Sequence, residues 1–315
     1  MSGGRSHLTV KVPEGFDLAR AVCSYGYFLL APNRWEAAKR ALHRTLHDAN
    51  GRVIHVRVTQ VAPETLRVAC DAQVSAGDAA LLRFQIARML RLDEDLSPWQ
   101  RLHPQAAAAG FGRLFRSPTL FEDMVKTITT CNVTWPTTIR MNALLCEQVG
   151  GGAYPTAEQI ASLPPNVLQR RCKVGYRAER IVRLARDVVR GRLDLARFED
   201  RTRPTADIYA DLREIHGIGD YAASNLCQLL GRYDLLPVDS ETLRHFRQHH
   251  APRMKTLDAR TRKRITRHYA GFAPYQFLAY WFELWGAYEK HAGDARQWNE
   301  EHAATFTAAK LNQRS

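Results

Sequence analysis

Strand-forming patterns are confined to the first third of this chain, and from Pro104 onward nearly every patterned segment has helical spacing. Gly51 to Thr59 alternates and is rich in β-branched residues, which predicts a strand, and Thr65 to Cys70 predicts a second. Asn50-Gly51 is a tight-turn signal, so a further strand is expected before it over residues 41–47. Propensity alone would instead make residues 35–46 a helix, and the two readings stay open. Residues 75–92 place Leu82, Ile86, Met89 and Leu90 on one apolar helical face. Further helical patterns recur at 120–129, 138–148, 156–162, 177–190, 206–215, 221–230, 240–246, 259–268 and 275–285. Loops such as Gly150 to Gly152 and Pro164-Pro165 separate several of them. The expected fold is α+β and mostly α: a small N-terminal antiparallel β-sheet domain over residues 1–104, followed by a helical body over 105–315.

With 45% hydrophobic and 24% charged residues, the chain has enough apolar material for a packed core and is not expected to be disordered. No apolar run approaches the roughly 20 residues that span a bilayer, and Met1 to Val10 lacks the apolar centre of a secretion signal. The expectation is a cytoplasmic protein, nucleoid-associated if bacterial, monomeric and without a membrane partner. Cys23, Cys70, Cys131, Cys146, Cys172 and Cys227 are scattered and form no CxxC pair, so free, mostly buried thiols are expected and no metal site is assigned. Lys and Arg number 45 against 32 Asp and Glu, a net charge of +13 that suits a polyanionic partner. The local run Arg260, Arg262, Lys263, Arg264 and Arg267 reads as a solvated helix face.

Asp211 to Cys227 reads as a helix, a Gly217-Ile218-Gly219 connection and a second helix. Two glycines let the backbone turn tightly and leave it bare. Bare N–H groups at the start of the second helix can bind a phosphate with help from the helix dipole, a contact blind to base sequence. The same tripeptide could be a plain tight turn. The next helix, however, opens at Leu236-Pro237-Val238-Asp239, and the spacing from Gly219 to Asp239 fits one helix and one loop, returning a carboxylate towards the hairpin. Asp239 also suits an N-cap for the helix beginning at Ser240, and N–H bonds to a capping carboxylate keep it ionised.

This compound pattern resembles the helix-hairpin-helix/Gly-Pro-Asp (HhH-GPD) DNA glycosylases. In that family the Asp after the Pro is catalytic, which implies that role for Asp239: a carboxylate beside an oxocarbenium-like sugar stabilises its charge and can position water. Ile128 to Cys146 is similar to the helix-loop-helix region of the 8-oxoguanine branch, where Asn132 falls at a residue that fills the gap left by a flipped nucleotide. Gly175-Tyr176-Arg177-Ala178 matches a motif whose Tyr wedges into the base stack and whose Arg contacts the orphaned base. On residues alone, Tyr176 would be core and Arg177 a solvated helix start. The N-terminal sheet and Gly271 to Tyr275 resemble both this branch and the bacterial 3-methyladenine (alkylation-repair) branch.

Tyr221 stands where bifunctional relatives carry the Lys that forms a Schiff base, and a phenol cannot form that imine. Aligned on Gly271, the positions that hold 8-oxoguanine in relatives fall on Pro274 and Leu278. A pocket of Tyr221, Tyr280 and Trp281 would stack on an extruded, electron-poor base, although an aromatic stripe on a helix is more often core. The resemblance thus implies a monofunctional DNA N-glycosylase of base excision repair, acting on double-stranded DNA that contains a damaged base. It implies no organic cofactor, and a monovalent cation at the hairpin carbonyls. The alternatives are a bifunctional glycosylase/lyase with a displaced Lys126 or Lys173, and a non-catalytic binder of damaged DNA.

Overall fold

The computed structural model describes residues 6–254 and 256–298. Five strands, β1 (His7–Lys11), β2 (Arg34–Glu36), β3 (Ala41–His47), β4 (Val53–Ala62) and β5 (Thr65–Cys70), form one sheet in the order β1-β5-β4-β3-β2, antiparallel throughout. The conflict over residues 41–47 resolves as strand. Pairing of β3 with β4 sets Leu42 against Val58 and Leu46 against Ile54, all four buried. The reversal at Asp48–Arg52 is fixed by the Asp48 carboxylate, which accepts the N–H of Asn50 and of Arg52, while Gly51 takes φ +77. What remains of the helical propensity is a single tight turn at Ala37–Lys39. Strands β1 and β2, absent from the sequence reading, are the sheet edges, and β2 has only three residues. A short edge strand offers little alternation to read and little ladder to foreign chains.

The helices of ten or more residues are α1 (Ala76–Met89), α2 (Leu120–Thr130), α3 (Trp135–Gln148), α4 (Arg177–Val189), α5 (Thr205–Glu214), α6 (Asp220–Leu229), α7 (Ser240–His249), α8 (Ala259–His268) and α9 (Gln276–Ala292). Several starts follow from side-chain caps: Ser75 for α1, Thr119 for α2, Asp239 for α7 and Asp258 for α8 each accept a first-turn N–H. Sheet and helical body share one contiguous apolar core that crosses residue 104. Buried ion pairs add a second tie. Arg44 of β3 donates to Glu122 of α2 at 2.6 Å, and Lys126 meets the same carboxylate at 2.7 Å. Arg88 of α1 pairs with Asp123 of α2 at 2.8 Å. Removing one member of such a pair would leave a buried charge without a partner, a cost of about 3–5 kcal/mol.

All six cysteines are free, five of them buried. The basic run of α8 is a solvated face, with Thr261 and Ile265 turned inward. Among the described residues no helix is long and apolar enough to cross a membrane.

Candidate active site

Asp239 is the N-cap of α7, as its position after Pro237 predicts. Its Oδ1 accepts the Thr242 N–H at 2.8 Å and lies 3.0 Å from the Thr242 hydroxyl, while the Asp239 N–H reaches back to that hydroxyl at 3.4 Å. These bonds favour the ionised carboxylate, but they do not dominate. Burial is the largest influence and pushes the Asp239 carboxyl above its ordinary value, against the Thr242 bonds and with help from the Glu241 charge. The expectation that capping alone keeps the group ionised is corrected accordingly: the site holds a carboxylate whose charge is costly.

Asp239 lines a cavity of about 280 Å³ with Tyr221, Tyr280 and Trp281, so the three proposed pocket aromatics and the carboxylate do converge. That volume sits near the lower end of the small-molecule range, about 300–1,000 Å³, and suits one flat heterocycle. Helix α9 supplies one wall through Phe277, Tyr280, Trp281 and Leu284, the i, i+3, i+4, i+7 face of a helix. Leu278 is fully buried in the core and Pro274 is exposed, so neither lines the cavity. Among the α9 residues that do line it, Phe277 and Trp281 keep the same four-residue spacing.

A further part of the lining comes from residues 25–29, to which the spacing of the sequence assigns no role. Tyr25, Gly26, Tyr27 and Leu29, around the turn Gly26–Leu29, line the same cavity. The Tyr25 hydroxyl donates to Asn225 Oδ1 of α6 at 3.1 Å, and Tyr27 and Thr127 share a hydroxyl contact at 2.8 Å. Trp281 Nε1 donates to the Ser24 carbonyl at 2.9 Å, and its ring lies 4.9 Å from that of Tyr25. The signal available was the run Tyr25-Gly-Tyr-Phe28, aromatic beyond what an edge of a small sheet needs. A second carboxylate, Glu241, also lines the cavity, but it is engaged by Arg244 and by the Tyr288 hydroxyl at 2.7 Å. Asp239 therefore carries the less compensated negative charge.

The hairpin lies between α5 and α6. Gly217 takes φ +91, a conformation open to glycine. A Cβ there would lie 2.6 Å from Arg180 Cδ, whereas one on Gly219 would meet nothing closer than 3.8 Å. Ile218 is buried, so its side chain anchors the turn and only its backbone can face a partner. Gly219 is the exposed N-cap of α6 and contributes no side-chain cap, leaving the first-turn N–H groups open. Asp220 is drawn aside by Arg213 at 3.0 Å and Tyr209 at 2.8 Å.

Residues 125–269, from within α2 to the end of α8, match the HhH-GPD superfamily base excision DNA repair protein. The helical body is an HhH-GPD fold. No curated protein sequence matches the chain. Its fold is similar to that of a 3-methyladenine DNA glycosylase from Archaeoglobus fulgidus, with TM-score 0.68 and 17% identity, covering 88% of this chain and 97% of that one. It is also similar to the apo 8-oxoguanine glycosylase/lyase of Clostridium acetobutylicum, with TM-score 0.65 and 15% identity over 90% and 100% of the two chains. The same enzyme bound to double-stranded DNA with cytosine opposite 8-oxoguanine gives TM-score 0.64 and 15% identity over 92% and 99%.

Within the HhH-GPD body, Asn132 and Tyr176 come together. Asn132 takes φ +53 at the turn between α2 and α3 and is exposed, and its Nδ2 lies 3.5 Å from the Tyr176 hydroxyl. Tyr176 is 53% exposed, so it is not the core residue that bare sequence suggests. Arg177 is the reverse. It is buried, its Nη2 donates to the Cys131 and Asn132 carbonyls, and its guanidinium lies 4.5 Å from the Tyr176 ring centre. In the DNA-free fold it holds the Asn132 turn and backs the Tyr176 ring. Neither alternative lysine reaches the cavity: Lys126 is fully buried beside Glu122, and Lys173 caps the helix Pro165–Cys172 from an exposed position.

Proposed function

We propose that this chain is a monofunctional DNA N-glycosylase, binding damaged duplex DNA and hydrolysing the N-glycosidic bond of one flipped base. The observation that carries the reading is the shared cavity: Asp239 and a wall of Tyr25, Tyr221, Tyr280 and Trp281 face the same space. In this reading the open N–H groups at the start of α6 hold a phosphate, and Asn132 with Tyr176 occupies the gap in the duplex. The extruded base stacks on the aromatic walls, whose π faces favour an electron-poor or cationic ring such as an alkylated purine. Loss of the base develops positive charge on the sugar, which the Asp239 carboxylate stabilises while water attacks. The turn at the hairpin offers backbone carbonyl oxygens, hard uncharged donors that suit Na⁺ or K⁺ better than a transition metal, and such a cation belongs to this proposal.

The test is base release from duplexes bearing alkylated, oxidised and deaminated bases, scored separately for free base and for strand cleavage. Release of an alkylated base with an uncut abasic strand is the expected result. Duplex binding with no release from any member of the panel would leave a non-catalytic damage binder as the answer.

A further inference from the structure

Behind the wall formed by α9 lies a second group of polar side chains that the proposed chemistry does not use. His245 of α7, His250 just past its end, and Glu283 of α9 bring one ligand atom each within 4.8 Å of one another. Glu283 Oε2 lies 3.5 Å from His245 Nε2 and 2.9 Å from His250 Nε2. We propose that these three side chains form a site for a divalent transition metal, Zn²⁺ foremost, that pins the helix capped by Asp239 to the helix carrying the pocket aromatics.

The geometry is close to what the ion requires. Zn–N and Zn–O bonds of about 2.0–2.2 Å in a tetrahedron put neighbouring ligand atoms about 3.3 Å apart. The two Glu283 edges bracket that value, and the edge between the two imidazoles, within 4.8 Å, closes to it by a shift of up to about 1.5 Å, which calls for rotation of the partly exposed His250 side chain. Two imidazoles and one carboxylate are a borderline donor set that suits Zn²⁺ better than Mg²⁺ or Ca²⁺. The Tyr269 hydroxyl donates to Glu283 Oε2 at 2.8 Å, the kind of outer bond that orients a ligating carboxylate.

Two further observations point to a ligand. His245 is 1% exposed, yet the Nε2 that it turns to the cluster makes only the long contact to Glu283 at 3.5 Å. A buried imidazole so poorly satisfied requires an explanation. The cluster is also reachable, because His245, His250 and Glu283 line a groove of about 850 Å³ on the face of α9 turned away from the base cavity. Consequences reach the active site through contact: the His245 ring stands edge-on to Tyr280 at 5.9 Å, and Tyr280 touches Thr242, which holds Asp239.

The experiment uses the full-length chain, stripped with chelator and titrated with ZnCl₂ by calorimetry, then with CoCl₂ by visible absorption. Expected are one Zn²⁺ per chain, a rise in Tm on loading, and the intense ligand-field bands of a tetrahedral Co²⁺ site. His250→Ala and Glu283→Gln should each weaken Zn²⁺ binding by at least about 100-fold, and Tyr269→Phe by about 10- to 100-fold, as the loss of an outer partner does. The wild-type titration needs no variant to fold. Failure of the wild type to bind stoichiometric Zn²⁺, or equal binding by the His250 and Glu283 variants, would overturn the site.

Discussion

The Tyr280 hydroxyl lies 3.2 Å from the hydroxyl of Thr242. Thr242 in turn gives its backbone N–H to Asp239 Oδ1, so the Tyr280 ring and the Asp239 carboxylate are one hydroxyl apart. On the proposed reading, Thr242 stands between the base-stacking ring and the carboxylate, so a change at Thr242 is expected to act on both.

Asp239→Asn should abolish base release while leaving duplex binding largely intact. The amide oxygen can still accept the Thr242 N–H, but the charge facing the sugar is gone, which costs on the order of 10²-fold or more in rate. The same variant should be more stable than the wild type. In the fold the Asp239 carboxyl is raised by burial, so between its ordinary and its raised value the folded chain binds more protons than the unfolded one. Stability therefore falls as pH rises through the raised value, and at neutral pH the wild type carries the cost of an ionised, half-buried carboxylate. Asn does not titrate. Thermal melts at neutral and acidic pH should show a Tm gain for Asp239→Asn that shrinks in acid; a pH-independent loss would contradict the assignment.

Thr242→Val keeps the shape of the side chain and the backbone donor but removes the hydroxyl beside Asp239. A hydrogen bond to a charged group contributes about 1.5–3 kcal/mol, so its loss should carry the acid limb of the single-turnover rate towards neutral pH by about one to two pH units. The rate well above that limb should fall much less. An acid limb unmoved by the substitution would detach Thr242 from the carboxylate proposed to act on the sugar.

The two hairpin glycines should separate folding from DNA binding. Ala at 217 must adopt φ +91 and drive its Cβ into Arg180, so the chain should lose about 1–3 kcal/mol of stability. Ala at 219 meets open space and an extended backbone, so Tm should hold. Its methyl group stands where a phosphate would approach, and affinity for damaged and undamaged duplex should drop together. Fluorescence anisotropy on both duplexes checks this. A loss confined to damaged DNA would place the hairpin in base recognition.

Much of this was readable in the residues because it is local. The helix pattern from residue 120 onward, the hairpin and the capping position of Asp239 depend on spacing within a few turns, and spacing is what a sequence displays. The pocket was legible only on one side. Tyr280 and Trp281 follow a helical stripe, but Tyr25 and Tyr27 reach Asp239 across more than 200 positions through a turn held by Asn225, Thr127 and Trp281. Arg177 shows the converse limit. A charged residue at a helix start reads as solvated, and only the three-dimensional path of the Cys131–Asn132 carbonyls reveals why its guanidinium is buried. The choice between helix and strand at 41–47 was likewise made by a partner, β4, rather than by the segment itself.

Tyr221 decides the last prediction, which concerns the product. Its ring lines the cavity with Asp239, and although the residue as a whole is 39% exposed, its hydroxyl end is pushed up, first by desolvation inside the cavity and then by the Asp239 charge, so it remains a neutral phenol at any working pH. A neutral phenol cannot form an imine with the opened sugar, and among the described residues no lysine lines the cavity. The enzyme should therefore release free base and leave an abasic strand that breaks only with alkali or an added lyase, and borohydride should trap no adduct. Tyr221→Phe should keep most activity, since the ring serves as a stacking face, whereas Tyr221→Ala should lose about 1–3 kcal/mol of base binding. Tyr221→Lys should gain a trappable adduct only if the new amine reaches the sugar partly deprotonated; desolvation at this position would depress the ammonium, whereas the neighbouring Asp239 charge would hold it up. A strong borohydride adduct with the unmodified chain would instead require a lysine to move into the cavity. Lys126 could do so only by breaking its buried pair with Glu122, and Lys173 only by leaving its exposed cap, so peptide mapping of that adduct would identify which rearrangement occurs.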